Sequence, residues 1–415
     1  MHDCLGRVKN IQVLVLYNWE SPFDWQCFVP LCEFLGYIPK LIVKGGKMVA
    51  PLESSTENLL IGKFVLEPHD GYQTTNMAPM FSSIPTSVTE LVVTMDPTDA
   101  AHFTKQVHMM THLSSLDIEV MGYILPPLFH TTLLNCTFLQ HIHFHNAQEL
   151  CEDKHVDLLQ NSGLTSLSVT YYNTDVSDLI EHLPTTLQSL HFETKLANTS
   201  RSTPQNRHPQ EAALLALPEL KSLSLWIRSS NKDWIDFSGF TQLESLTVTK
   251  IEMTNLDILL KNNYVIKHLD LQPYKDFEYD DVKLMNAITT CTNLVTLRLS
   301  GMTHALFQEL SMDLPRLVLL EEFSFEAMSN PMTLVMWEEL WHALVKCRNL
   351  VKVSLGADSL HYRKMLDIVV ENLALCGFWN LKLWRRDIVS SKFFQVTIMR
   401  QFKRLLTLQA ICNGV

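Results

Sequence analysis

Glycine and proline are scarce, at 13 and 17 of 415 residues, and no long low-complexity tract interrupts the chain. That excludes collagen-like and linker-dominated architectures. Charge is thin as well: charged residues make up 19% against 47% apolar, a balance that supports a folded core. No run of about 18 apolar residues exists to span a membrane as a helix. Asn18, Glu20 and Asp24 interrupt and follow the early apolar run, so no secretory leader is expected. There is no P-loop, no GxGxxG after a strand, no GxSxG and no HExxH, so nothing points to an enzyme or a cofactor. Positive charge is in deficit: the net charge of −11 argues against general binding of nucleic acid or anionic membrane.

The deficit is uneven. From Leu381 to Val415 there are seven basic residues and one acidic, so that tail is +6 and the remainder −17. Either a solvated terminal face or a patch for an acidic partner fits it. Nine cysteines is an odd number and none forms a CxxC. Three of them share one context, Cys136-Thr-Phe-Leu139, Cys291-Thr-Asn-Leu294 and Cys347-Arg-Asn-Leu350. A recurring structural slot explains them better than redox or metal chemistry, because a free thiol packs as a small hydrophobe. A reducing, intracellular compartment, cytoplasmic or nuclear, is the expectation.

What the chain has in abundance is one pattern, apolar-x-x-apolar-x-apolar. It starts at Ile11/Leu14/Leu16, recurs at Ile38/Leu41/Val43, Leu139/Ile142/Phe144 and Leu243/Leu246/Val248, and ends at Phe378/Leu381/Leu383. There are fifteen copies, with steps of 23 to 33 residues averaging about 26. One match means nothing; fifteen at near-constant pitch define a repeat. The last two apolar positions are two apart and so share one side of a strand, facing inward. The 15–20 residues between copies must return the chain, and Asp281–Thr290 and Trp337–Lys346 carry helical apolar spacing for that task. A single repeat cannot bury its own apolar side, whereas stacked neighbours can.

This pattern resembles the leucine-rich-repeat family over about 90% of the chain. The mixed lengths look like the ribonuclease-inhibitor-like and F-box-associated intracellular classes. Phrases such as Leu183-Pro-Thr-Thr-Leu187-Gln-Ser-Leu190 look like short-turn repeats, whereas the family's Asn-x-Leu ladder after the strand is mostly absent. The resemblance implies an α/β solenoid of about 15 repeats, with a curved parallel inner sheet and helices or irregular segments on the convex side. Residues 1–388 are expected to form it. Residues 389–415 are expected to form a C-terminal capping helix, since Phe394, Ile398, Phe402 and Leu405 fall near one helical face. The step containing Thr194–Pro209 is polar and Pro-containing, and reads as an exposed loop.

The resemblance further implies protein–protein recognition on the concave sheet. Outward positions follow from the register: Val13, Val15, Ile42, Val65 and Val92 early; His141, His143, His145, Ser168 and His191 in the middle; then Ser224, Trp226, Thr247, Asp270 and Arg298. The early positions are unusually apolar, as a binding patch or as a surface covered by a flap such as Trp19–Trp25. Trp226 among small Ser and Thr positions is a candidate anchor. Substrate recognition for a ubiquitin ligase, alongside a ligase adaptor, is the favoured use, although the first residues run into a repeat without an F-box-like Leu-Pro-x-Glu segment. A GTPase-activating repeat protein is the alternative, with no motif to carry that activity over. A third reading is a metal- or pH-dependent binder through His141, His143 and His145, with Asp117 and Glu119 in matching register on the preceding strand. Against a metal, i and i+2 positions on a strand lie roughly 6.5–7 Å apart.

Overall fold

In a computed structural model, the described residues are 11–18, 35–45, 60–67, 81, 84–95, 99–120, 136–145, 163–170, 180, 182–194, 214–227, 234–249, 252–254, 256–272, 281–301, 304–326, 333–358, 365, 367–368, 380–386, 393–401 and 405–413. The expected flap at Trp19–Trp25 and the polar insertion beyond Thr194 lie outside them. The chain divides into two compact units, Met1–Glu219 and Leu220–Val415.

In the first unit eight strands pair in parallel, each with the next. They are β1 (Val13–Asn18), β2 (Tyr37–Gly45), β3 (Leu60–Glu67), β4 (Glu90–Met95), β5 (Ser115–Val120), β6 (His141–His145), β7 (Ser166–Thr170) and β8 (Ser189–Thr194). One helix, α1 (Ala100–His108), returns the chain from β4 to β5.

The second unit repeats the plan with β9 (Ser222–Ile227), β11 (Ser245–Thr249), β13 (His268–Gln272), β14 (Thr296–Ser300), β15 (Glu322–Glu326), β16 (Lys352–Asp358) and β17 (Asn380–Arg386), again parallel. A small pair, β10 (Trp234–Asp236) with β12 (Glu252–Thr254), flanks β11 in sequence. Helices α2 (Leu256–Asn262), α3 (Asp281–Thr290), α4 (His304–Asp313) and α5 (Leu334–Lys346) contact one another in succession. Of the expected helices, α3 has the expected bounds. The other begins three residues early, at Leu334, where the Thr333 hydroxyl accepts the Met336 N–H at 3.3 Å as an N-cap.

The last two apolar positions of each of the fifteen motifs lie on a parallel strand, and the reason is visible in the burial. The inward pair is buried in every strand except β1, where Leu14 is half-buried beside buried Leu16. Between repeats the backbone makes one recurring junction. A single carbonyl accepts two N–H groups from the following repeat: Thr89 from Ser114 and Ser115, Ser114 from Gln140 and His141, Lys267 from Val295 and Thr296, Glu321 from Val351 and Lys352. Just before, an i to i+3 turn closes on the first apolar anchor, as in Leu139 N–H to Cys136 carbonyl at 2.9 Å and Leu294 N–H to Cys291 carbonyl at 3.0 Å.

The residue opening that turn occupies the slot inferred from the cysteines. Cys136, Cys291 and Cys347 are free and buried, and each thiol donates to a carbonyl of the preceding repeat at 3.7 Å. Burial pushes their pKa values up to about 11, 11 and 12, so they stay protonated and inert. Asn263, absent from the sequence expectations, fills the same slot three residues before Ile266. It is fully buried; it accepts the Leu243 N–H at 2.8 Å and donates to the carbonyls of Leu259 and Phe240.

The expected C-terminal helix is corrected. Residues Phe393–Gln401 and Leu405–Asn413 are strands β18 and β19, joined antiparallel to each other and, through β18, to β17. The first segment is rich in β-branched and aromatic residues, and both carry apolar residues two apart, Phe394, Val396 and Ile398 in one and Leu406, Leu408 and Ala410 in the other, which suits a strand.

Gly62 on β3 marks a close approach. A β-carbon there would meet the Tyr37 hydroxyl at 2.7 Å and the Pro39 carbonyl at 2.9 Å. The latter is backbone and cannot swing away, so Gly62→Ala should cost about 1–3 kcal/mol, read as a lower midpoint in urea unfolding. An unchanged midpoint would show that β2 yields freely.

Candidate functional site

Strand register brings the expected partner-facing residues into rows. In the first unit Val15, Ile42, Val65, Val92, Asp117, His143, Ser168 and His191 are consecutive cross-strand neighbours. Successive members sit about 4.8 Å apart by strand spacing. Val13 and His141 stand one step down the strands in the flanking row, and His145 one step up. In the second unit Ser224, Thr247, Asp270, Arg298 and Ser324 form the equivalent row, with Trp226 one step up on β9. Of Lys382 and Trp384 on β17, only the backbone is described.

The apolar start of the first row is graded. Val13 and Val15 are 49% and 38% exposed, and Ile42 and Val92 are half-buried. Val65 is only 5% exposed, which corrects the expectation that it presents a contact. It stands between Ile42 and Val92, and apolar neighbours on both sides take up its surface. Lys63 and Glu90, one step down, pair at 3.0 Å beside it.

The row then becomes ionisable. Asp117 lies between two imidazoles: its Oδ2 is 3.6 Å from His143 Nδ1, and its Oδ1 is 3.2 Å from His145 Nε2. The imidazole rings lie 3.8 Å apart, centroid to centroid. His141 is exposed and outside this cluster, so the three-histidine set expected from sequence is replaced by Asp117, His143 and His145. Burial raises the Asp117 pKa, but hydrogen bonds and charge from both histidines outweigh it and hold the carboxyl well below the usual range. The Asp117 hydrogen bond raises the His145 pKa against burial, helped by the charges of Asp117, Glu119 and Glu193. His191 goes the other way, lowered first by burial and then by repulsion from His143 and His145.

In the second unit the face hollows into a cavity of about 320 Å³ lined by Asp270, Arg298, Glu322, Ser324 and Lys352 among others. Lys352 bonds Glu322 at 3.0 Å, and Arg298 stands 3.8 Å from Asp270. Burial raises the Asp270 pKa, and Arg298 and Gln272 offset it only in part. Arg298, about half exposed, is held toward Asp270.

The two aspartates thus have opposite linkage. Asp117 has a depressed folded pKa, so its stabilisation is present above the unfolded carboxylate range and is lost as pH falls through the folded value. Asp270 has a raised one, so its contribution is present at low pH and is lost as pH rises through the folded value. At neutral pH and with chelator present, Asp117→Asn should destabilise by about 1–2 kcal/mol, whereas Asp270→Asn should raise the melting temperature. Paired melts near neutrality and below the carboxylate range test this. Equal shifts of one sign would sink it.

One inward-facing parallel strand per repeat, returned by helices or turns, is the architecture of a leucine-rich-repeat protein. The chain is similar to a leucine-rich-repeat protein of Leptospira interrogans at 13% identity and TM-score 0.43, covering 86% of this chain and 99% of that one. It is also similar to TLR13 in its complex with ssRNA13, at 14% identity and TM-score 0.39, covering 84% of this chain and 48% of that one. A third is the yeast complex of Rad7 and Elc1, at 14% identity and TM-score 0.43, covering 74% and 73%. No family model and no curated protein matches the sequence. Among the described residues, no helix is long and apolar enough to cross a membrane.

Proposed function

We propose that this chain is a non-enzymatic protein-recognition module whose contact surface is the outward face of the parallel strands. The observation that carries the reading is the outward row itself. In the first unit it passes from exposed Val15, with exposed Val13 in the flanking row, through apolar neighbours to charged and imidazole groups, with small Ser168 leaving room for an approaching backbone; the second unit's own row carries small Ser224. An apolar patch rimmed by polar groups is what a protein interface requires. Trp226, half-buried on β9, serves as an anchor beside Ser224. The net charge of −11 favours a protein over nucleic acid or an anionic membrane, and the protonated buried thiols suit a reducing, intracellular setting.

Within that class the favoured role is the substrate-recognition part of a ubiquitin ligase, on the resemblance of the repeats to F-box-associated ones. Affinity capture from cell extract with mass spectrometry tests both levels. Wild type is compared with a Trp226→Ala, Ser224→Arg double variant and with Val15→Glu. A protein lost in either variant together with a ligase adaptor retained in both supports the role. A specific protein without an adaptor leaves recognition standing and removes the ligase. Partners unchanged in both variants overturn the strand face as the contact surface.

A further inference from the structure

We propose that Asp117, His143 and His145 form a binding site for one divalent transition-metal ion, of which zinc is the natural probe. The three side chains come from two adjacent strands, and each offers one ligand atom, all within 4.8 Å of one another. A tetrahedral zinc with bonds of about 2.1 Å holds its ligand atoms about 3.4 Å apart. The carboxylate approaches the two imidazoles through different oxygens, Oδ2 at 3.6 Å from His143 and Oδ1 at 3.2 Å from His145, both close to that edge. Rotation of the imidazoles about their broad terminal torsion closes what remains.

The donor set suits the ion: two imidazoles and one carboxylate select zinc and its first-row neighbours over calcium or magnesium, which take oxygen cages. The side-chain geometry explains how ligands at i and i+2 meet. The two rings converge to 3.8 Å between centroids, and both lean to a carboxylate on β5, across the short interstrand distance. Around them the field is negative. Glu119 is the register partner of His145, and its carboxylate is held by the Thr94 hydroxyl at 3.2 Å. Glu193 acts on His145 from β8.

Each of the three side chains is about a third exposed, so an ion reaches the site from solvent. Small Ser168 beside His143 leaves the outer coordination position open to water or to a donor from a bound protein. Three protein ligands and one open position on a recognition face would make metal a condition of partner binding. The site itself, however, does not rest on any partner, and its test uses metal alone.

Untagged full-length protein, stripped with chelator, is titrated with Zn²⁺ in a calorimeter at mildly alkaline pH, where imidazole ligands are deprotonated. Bound metal is then counted by elemental analysis. One equivalent per chain is expected, with a melting temperature that rises on addition. Asp117→Ala and His143→Ala should each weaken binding at least tenfold, on the scale that even outer partners of metal ligands command. His145→Gln provides a further variant should one of these fail to fold, and His141→Ala should bind as wild type. A Co²⁺ complex with the intense visible bands of four-coordination would add the geometry. Absence of saturable binding, or unweakened binding in the folded ligand variants, overturns the site. So does equal weakening in His141→Ala, which would mean collective binding by surface histidines.

Discussion

An Asn263→Ala variant should unfold with about 3 kcal/mol less free energy than wild type. The side chain is fully buried and satisfies three backbone groups at once: the N–H of Leu243 in the preceding repeat, and the carbonyls of Leu259 and Phe240. Alanine strands all three away from water, at about 1–3 kcal/mol per orphaned group before relaxation. Asn263→Cys makes the argument sharper. Cysteine occupies this slot in three other repeats and donates to a carbonyl there, so it restores packing and one bond but leaves the Leu243 N–H unmet. Urea unfolding should rank the proteins wild type, cysteine, alanine. A loss under about 1 kcal/mol for alanine would mean that water reaches the slot and takes over its bonds.

Phe144→Ala should cost about 3–5 kcal/mol, the range for deleting a buried phenylalanine. Phe144 is almost completely buried on β6, with Ile118 and Val169 as its register neighbours on the inward face. Its neighbours on both sides are held in register by the strand ladder, so most of the cavity penalty remains. His143→Ala, next door but facing outward, should cost far less. The contrast separates the two faces of one five-residue strand, and similar losses in both variants would deny it. Amide exchange can localise the effect, because a repeat array opens in sections.

Much of the fold was legible because its signal is redundant. Fifteen copies of one apolar triplet located fifteen strands, and α3 followed from its own period. The C-terminal segment was misread for a definite reason. Phe394, Ile398 and Phe402 are spaced by four, which approximates one helical turn and is also two full strand periods. Only β-branched and aromatic composition separates the two readings, and the helical one gave it too little weight. The candidate site was legible as a face and illegible as a cluster. Register put Asp117 opposite His143, but spacing along β6 suggested imidazoles too far apart to cooperate. Rotamers, which no one-dimensional pattern encodes, bring His143 and His145 onto one carboxylate and leave His141 out. Val65 fails for a related reason: an outward position is exposed only when its neighbours leave it uncovered. Asn263 had a signal, its place three residues before Ile266, matching the cysteines before their leucines. The difference in residue type hid it.

The carbonyl that serves two N–H groups at nine of the described junctions has a consequence for how such a chain changes over generations. Those junctions resist a shift in register, since one added residue would move the doubly bonded oxygen and turn the outward side chains of that strand inward. Length variation is therefore channelled into the return arms, where the observed steps already range from 23 to 33 residues. Insertions and deletions can accumulate there, while the outward face is left to drift one side chain at a time. A protein built this way can acquire a new partner by substitution alone, without renegotiating its scaffold.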